Sequence, residues 1–155
     1  MTPRPDRSPL VRTGADTMIS ATLQVETAGA GFVDLTAEVR RFLADAGARE
    51  GMLTLFVRHT SASLTIQENA DPTVLADLAM ALDRLAPRGG GWRHDTEGPD
   101  DMPGHVKTML TATSLQVPVA AGAPMLGTWQ GVYLIEHRAR PHRREVVLHF
   151  AGACG

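Results

Sequence analysis

The feature that most restricts how this chain can fold is an apolar period of two residues that returns at separated places. Ile19, Ala21, Leu23 and Val25 alternate with Ser20, Thr22 and Gln24, the pattern of a strand with one dry face and one wet face. Leu53, Leu55 and Val57 repeat it within Met52 to His59, and Leu115, Val117 and Val119 repeat it again. Leu64-Thr65-Ile66 reads as a short strand, and Trp129 to His137 and Glu145 to Phe150 as a hairpin around Pro141. Between the strands the period becomes helical. Leu35, Val39, Phe42 and Leu43 stand between the cap Asp34 and Gly47, which predicts a helix over about Thr36 to Ala46. Asp71-Pro72 sets a cap before a first-turn proline, and Leu75, Leu78, Leu82 and Leu85 then form a stripe that ends near Pro87. A third helix is expected from Pro103, with His105 in its first turn and Val106, Met109 and Leu110 toward the core.

A chain of 155 residues is long enough for one domain with its own core. Met1 to about Ala15 is rich in proline and arginine and poor in apolar residues, so it reads as a loose tail, or as an arm packed on a neighbouring subunit, ahead of a domain over residues 16–155. The net charge of -2 gives no sequence-independent attraction for nucleic acid or an anionic membrane. Cys154 is the only cysteine, which excludes an intrachain disulfide and a cysteine-based zinc knuckle and suits a reducing compartment. Apolar runs such as Met52 to Val57 fall short of the roughly 20 residues that span a bilayer. A cytoplasmic protein is expected, with neither nucleic acid nor membrane as partner.

His59, His94 and His105 sit where the chain ends a strand, crosses a long loop and begins a helix. Three imidazoles from separate segments can converge on a transition metal and leave a position open to water. They can also serve as ordinary hydrogen-bonding side chains. His94 belongs to the Arg88 to Met102 loop, whose length and lack of apolar period suit a functional segment. Ser61 and Ser63 lie near His59 but in no Gly-x-Ser-x-Gly elbow. Gly89 to Gly91 precede Trp92-Arg93-His94, so no phosphate-cradling P-loop is present. His137, Arg138, Arg140, His142, Arg143 and Arg144 form a basic cluster, either a grip for phosphate or carboxylate or a solvated hairpin tip.

Four motifs occur in order: His59-Thr60-Ser61-Ala62-Ser63-Leu64-Thr65-Ile66; Glu68-Asn69-Ala70-Asp71-Pro72; His94-Asp95 with Glu97-Gly98-Pro99-Asp100-Asp101-Met102-Pro103-Gly104-His105; and Leu126-Gly127-Thr128-Trp129-Gln130-Gly131. Together they resemble the YjbQ family over roughly Ile19 to Gly152. The resemblance implies a compact α+β domain, a mixed and largely antiparallel sheet packed against helices, assembled as a homotrimer. Some members are described as secondary thiamine-phosphate synthase-like enzymes.

Position by position, the resemblance makes His59, His94 and His105 ligands of a divalent metal. Zinc is favoured by the imidazoles, and magnesium is the alternative that a diphosphate substrate would prefer. Glu68, Asn69 and Asp71 match the acidic motif and Arg144 the arginine opening the last strand, which makes these four the expected catalytic residues, Glu68 as base. Gly127, Thr128, Trp129 and Gln130 match a signature expected on the substrate side, with Thr60 and Ser61 as orienting donors. For the polar residues the alternative is capping and turn chemistry; for Trp129 it is core or subunit packing. Gly104 stands where many relatives have alanine, which loosens the helix start. The implied reaction joins a pyrimidine diphosphate to a thiazole phosphate with release of pyrophosphate. The alternatives are a non-catalytic trimer that binds metal or a small ligand, and a metal-dependent hydrolase of a small phosphorylated metabolite.

Overall fold

Residues 6–155 are described by the computed structural model, so the first five residues of the expected tail lie outside the described residues. Residues 6–16 are exposed and carry neither strand nor helix. The elements that follow are β1 (Thr17–Thr27), β2 (Gly31–Asp34), α1 (Thr36–Asp45), β3 (Ala48–Val57), β4 (Ala62–Glu68), α2 (Pro72–Leu85), α3 (Asp101–Leu110), β5 (Ser114–Ala120), β6 (Ala123–Pro124), β7 (Gln130–Glu136) and β8 (His142–Cys154). The expected α+β architecture, helices packed with a mixed and largely antiparallel sheet, is found, with the antiparallel pairing complete. The strands divide over two sheets, ordered β1-β8-β3-β5-β6 and β2-β7-β4, and every ladder among the described residues is antiparallel.

The alternating residues decide where the core lies. Leu53, Leu55, Val57, Val117, Val119, Val146, Leu148 and Phe150 point inward from the larger sheet, Leu64, Val132 and Leu134 from the smaller one, and Val39 and Leu43 from α1. Each fully buried side chain of this size contributes about 1.5–3 kcal/mol. Asp34 accepts the Thr36 N–H at 2.8 Å at the start of α1, and Gly47, at φ 62°, ends it in a conformation that a side chain disfavours.

Three expectations are corrected. β7 and β8 are not a hairpin: β7 pairs with β2 and β4, and β8 with β1 and β3. The chain crosses between sheets in the short run after Glu136. The leucine stripe of α2 does not reach the core; no residue of that helix is buried, and Leu85 is 65% exposed. The sheets and α1 already enclose the core, which leaves α2 on the outside. Finally, α3 begins at Asp101, two residues before Pro103, so the side it buries is Asp101, Pro103 and Gly104, whereas Met109 and Leu110 are exposed. Proline is tolerated there because first-turn N–H groups have no partner within the helix.

Candidate metal centre

The earlier start of α3 brings the site together. Asp101 and His105 are four residues apart and share one helix face, and the loop before the helix folds His94 back over them. The Asp101 Oδ2 atom lies 2.7 Å from His94 Nε2 and 3.2 Å from His105 Nε2. One ligand atom from each of the three residues falls within 4.8 Å of the others. Asp101 is buried, and its second oxygen accepts from Arg138 Nη1. Arg138 also donates to Asp100 Oδ2 at 3.2 Å and to the Glu97 carbonyl at 2.7 Å. The carboxylate that would be a ligand is thus held from behind by an oriented cation.

Burial alone would push the Asp101 carboxyl up, but hydrogen bonds from His94 and the Arg138 charge outweigh it and hold it below its ordinary value. The hydrogen bond to Asp101 holds the His94 imidazole above its ordinary value, and Glu97, at 3.1 Å, adds in the same direction. Two imidazole nitrogens aimed at one carboxylate oxygen form the proton-filled counterpart of a cation site. Two histidines and one carboxylate suit zinc or another first-row transition metal more than magnesium. Beside His94 opens a cavity of about 450 Å³ lined by Trp92, Met102 and Pro103. An adjoining one of about 460 Å³ is lined by Arg88, Arg138 and Arg140. Arg88 and Arg140 make no ion pair among the described residues.

His59 does not join this group within the chain. Its Nε2 accepts the Glu145 N–H at 2.8 Å, so the neutral ring carries its hydrogen on Nδ1, and the Arg144 Nη1 atom 3.4 Å from Nδ1 is a contact between two donors. Burial, then the Arg144 charge, lowers its pKa. Of the three expected histidines, one chain brings His94 and His105 together, with Asp101 between them, and leaves His59 apart. Asp101 was missed because it reads as the last acid of a polar loop; the signal that could have found it is its four-residue spacing from His105.

Arg144 is buried and turned toward Glu136, donating from Nε at 2.8 Å and from Nη2 at 2.5 Å, with Nη2 also 3.0 Å from Ser61 Oγ. Thr60 and Ser61 lie beneath α3: the Thr60 carbonyl accepts from Thr108 at 3.2 Å, and a Cβ at Gly104 would stand 3.5 Å from that of Ser61. Ser63 pairs with His137 rather than with His59. The remaining candidates gather at the opposite end of β4, about 20 Å along the strand. There Asn69 Nδ2 donates to the Thr128 carbonyl at 3.1 Å and Gln130 Oε1 accepts the Gly127 N–H at 2.8 Å. Asp71 caps α2 through the Thr73 N–H at 2.9 Å, and Tyr133 donates to the Glu68 carbonyl at 3.2 Å. Trp129 is 63% exposed on this turn. Glu68, Asn69, Asp71 and Gly127 to Gln130 are therefore remote from the histidine and aspartate cluster of the same chain.

The family described as "UPF0047 protein YjbQ-like" matches residues 21–153. The chain belongs to this family. UPF0047 protein sll1880 of Synechocystis is 50% identical to it over 131 residues, 84% of this chain and 89% of that protein. UPF0047 protein YjbQ of Escherichia coli is 42% identical over 132 residues, 84% and 96% of the two chains. Among solved structures, a conserved hypothetical protein of Thermus thermophilus is 40% identical with a TM-score of 0.72, covering 82% of this chain and 97% of that one. A YbjQ-like protein of unknown function from Sulfolobus solfataricus, at 20% identity and a TM-score of 0.79 over 88% and 100% of the chains, shares the fold. Gly104 is a mild weakness within α3 of this YjbQ-like chain, because glycine is a poor helix former. An added Cβ would meet Ser61, His137 and Arg138 at 3.5–3.9 Å, ordinary contact distances. Gly104→Ala is expected to stabilise the fold by about 0.5–1 kcal/mol through a less flexible unfolded chain. A urea midpoint that moves down instead would mean that α3 cannot accept the methyl group.

Proposed function

We propose that this chain is a metal-dependent enzyme acting on a small phosphorylated metabolite, and that the thiamine-phosphate synthase-like condensation is the specific reaction to assay first. The observation that carries the reading is the convergence of His94, Asp101 and His105 on one point beside an open cavity. A zinc-type ion, when bound, supplies Lewis acidity and a water acidified toward neutral pH. The chain's own residues do the rest. Trp92 offers a flat wall to an organic ring, and Arg88 and Arg140 offer charge to a phosphate in the adjoining cavity. Arg138 keeps the Asp101 carboxylate aimed at the two imidazoles.

Hydrolysis of a phosphorylated metabolite is the second reading. It is favoured by the imidazole-rich donor set and by Arg144, whose commitment to Glu136 leaves it poorly placed to neutralise a departing diphosphate. The homotrimer belongs to the same proposal. Leu85, Met109, Leu110, Met125 and Trp129 are each more than half exposed, and the adjacent pair Met109 and Leu110 at the end of α3 offers apolar side chains to a further copy.

His105→Ala is expected to weaken zinc binding by about 100-fold, since one of the protein's metal ligands is lost, and to lower condensation or hydrolysis with it. The assembly mass in solution should stay the same. Zinc titration by calorimetry, followed by pyrophosphate and phosphate release assays, reads all three. Unchanged zinc affinity would remove the metal centre; full affinity without turnover on any phosphorylated substrate would leave a binding protein.

A further inference from the structure

On the other side of α3 from Asp101 and His105 lies a second, differently built place. His137 is only 4% exposed, yet it lines two adjoining cavities of about 390 and 200 Å³, together with Asp83 and Lys107. Its Nε2 atom is 2.8 Å from Ser63 Oγ, which is 2.6 Å from Thr111 Oγ1, which is 2.7 Å from the Lys107 carbonyl.

Each of these short contacts needs one hydrogen, and the chain has one order that supplies them. The carbonyl has no hydrogen, so the single Thr111 hydroxyl hydrogen points to it. Ser63 must then donate to Thr111, and His137 Nε2–H must donate to Ser63. The neutral ring is left with a bare lone pair on Nδ1. That atom has no hydrogen-bond partner among the described residues, while every fully enclosed side-chain nitrogen and oxygen among them does have one. Nδ1 therefore reaches open space, and the open space at this residue is the cavity pair. Burial pushes the ring's pKa down to about 4, so the lone pair persists at neutral pH.

The walls hold acids as well as cations, but Asp100 already accepts from Arg138 and the Ala139 N–H and Glu136 from Arg144, so the groups left to face an anion are cationic. The Lys107 side chain is largely buried, and its partner at 2.5 Å, Asp83, belongs to a side chain 72% exposed that can turn away into water. Arg88 stands on the same cavity wall. An oxyanion without a hydrogen would meet the cations but would set its own lone pair against that of Nδ1. We propose that this cavity binds a small oxyanion that carries its own O–H, the chemistry shared by hydrogen phosphate and α-hydroxy carboxylates. The O–H is donated to His137 Nδ1, and the charged oxygens are held by Lys107 and Arg88. This site uses none of the three residues of the proposed metal centre, although Arg88 lies between it and the cavity beside that centre.

The test follows the His137 ring by long-range proton–nitrogen correlation in the uniformly labelled full chain, at neutral pH, constant ionic strength and without added metal. Inorganic phosphate, glycolate and acetate are the probes. The free protein should have the hydrogen on Nε2, and phosphate, glycolate or both should shift Nδ1 saturably. Acetate should bind about tenfold more weakly, the value of one hydrogen bond at a charged group. A response to phosphate alone or to glycolate alone supports the site and identifies its source of oxyanion. Lys107→Gln should keep the tautomer, whose chain ends on the backbone carbonyl, and weaken the response about tenfold; Arg88→Gln should act in the same direction. His105→Ala should leave the response intact, which separates this site from the metal centre. A hydrogen on Nδ1, or shifts that are absent, unsaturable or the same with acetate, would overturn the proposal and leave an adventitious ion only.

Discussion

Glu136→Ala is expected to cost about 3–5 kcal/mol of folding stability, the range for removing one partner of a buried ion pair. Glu136 is 1% exposed and Arg144 is 4% exposed, so neither charge can turn to water. Burial would push the Glu136 carboxyl up, but hydrogen bonds from Arg144, Thr27 and the Arg138 backbone outweigh it and hold the group below its ordinary value. The pair joins the end of β7 to the start of β8, and so ties one sheet to the other where the chain crosses between them. Without the carboxylate, the guanidinium remains enclosed with only Ser61 as an oxygen partner. The double variant Glu136→Leu with Arg144→Met removes both charges and should recover much of the loss, because the desolvation cost disappears with them. Urea unfolding of parent, single and double variants decides the matter. A single variant within about 1 kcal/mol of the parent would class the pair with solvated surface bridges.

That junction also explains where sequence and structure part. The run from His137 to Arg144 reads as a basic hairpin tip, but Arg138 is turned onto Asp100 and Asp101, Arg143 lies 3.4 Å from Glu26, and Arg144 lies on Glu136. Each of those acids is distant in sequence or sits outside any periodic pattern, so no local signal announces the pairing. What depends on local physics was legible. The alternation in β1 and β3 placed those strands, and Asp71-Pro72 placed the start of α2 to the residue. β2 has four residues and β6 has two, too few to establish a period. In the site, His94 and His105 could be chosen from composition and resemblance, but the third member depended on where α3 begins. Pro103 is a natural first residue of a helix, and taking it so hides Asp101 in the loop. Ser63 and His137 are 74 residues apart, and only the antiparallel register of β4 with β7 brings them together.

The same buried histidine should make the fold sensitive to mild acid. In the unfolded chain the imidazole takes up a proton near its ordinary value of 6.5, whereas in the folded protein it does so only near about 4. Burial is the main cause; the Lys107 and Arg144 charges add to it, and Glu136 and Asp83 oppose it. Above 6.5 both states are neutral at this residue and its full contribution to stability is present. As pH falls through that value the unfolded state binds a proton that the folded state refuses, so stability declines until the folded pKa is reached. The shift corresponds to about 3 kcal/mol over the whole window. His137→Gln keeps an N–H donor for Ser63 but cannot titrate. Urea midpoints taken from neutral pH down to about 5, above the range where carboxylates dominate, should fall for the parent and stay much flatter for the variant. Parallel curves would mean that His137 is protonated in the folded protein as readily as in the unfolded chain. They would remove the argument that its environment excludes charge.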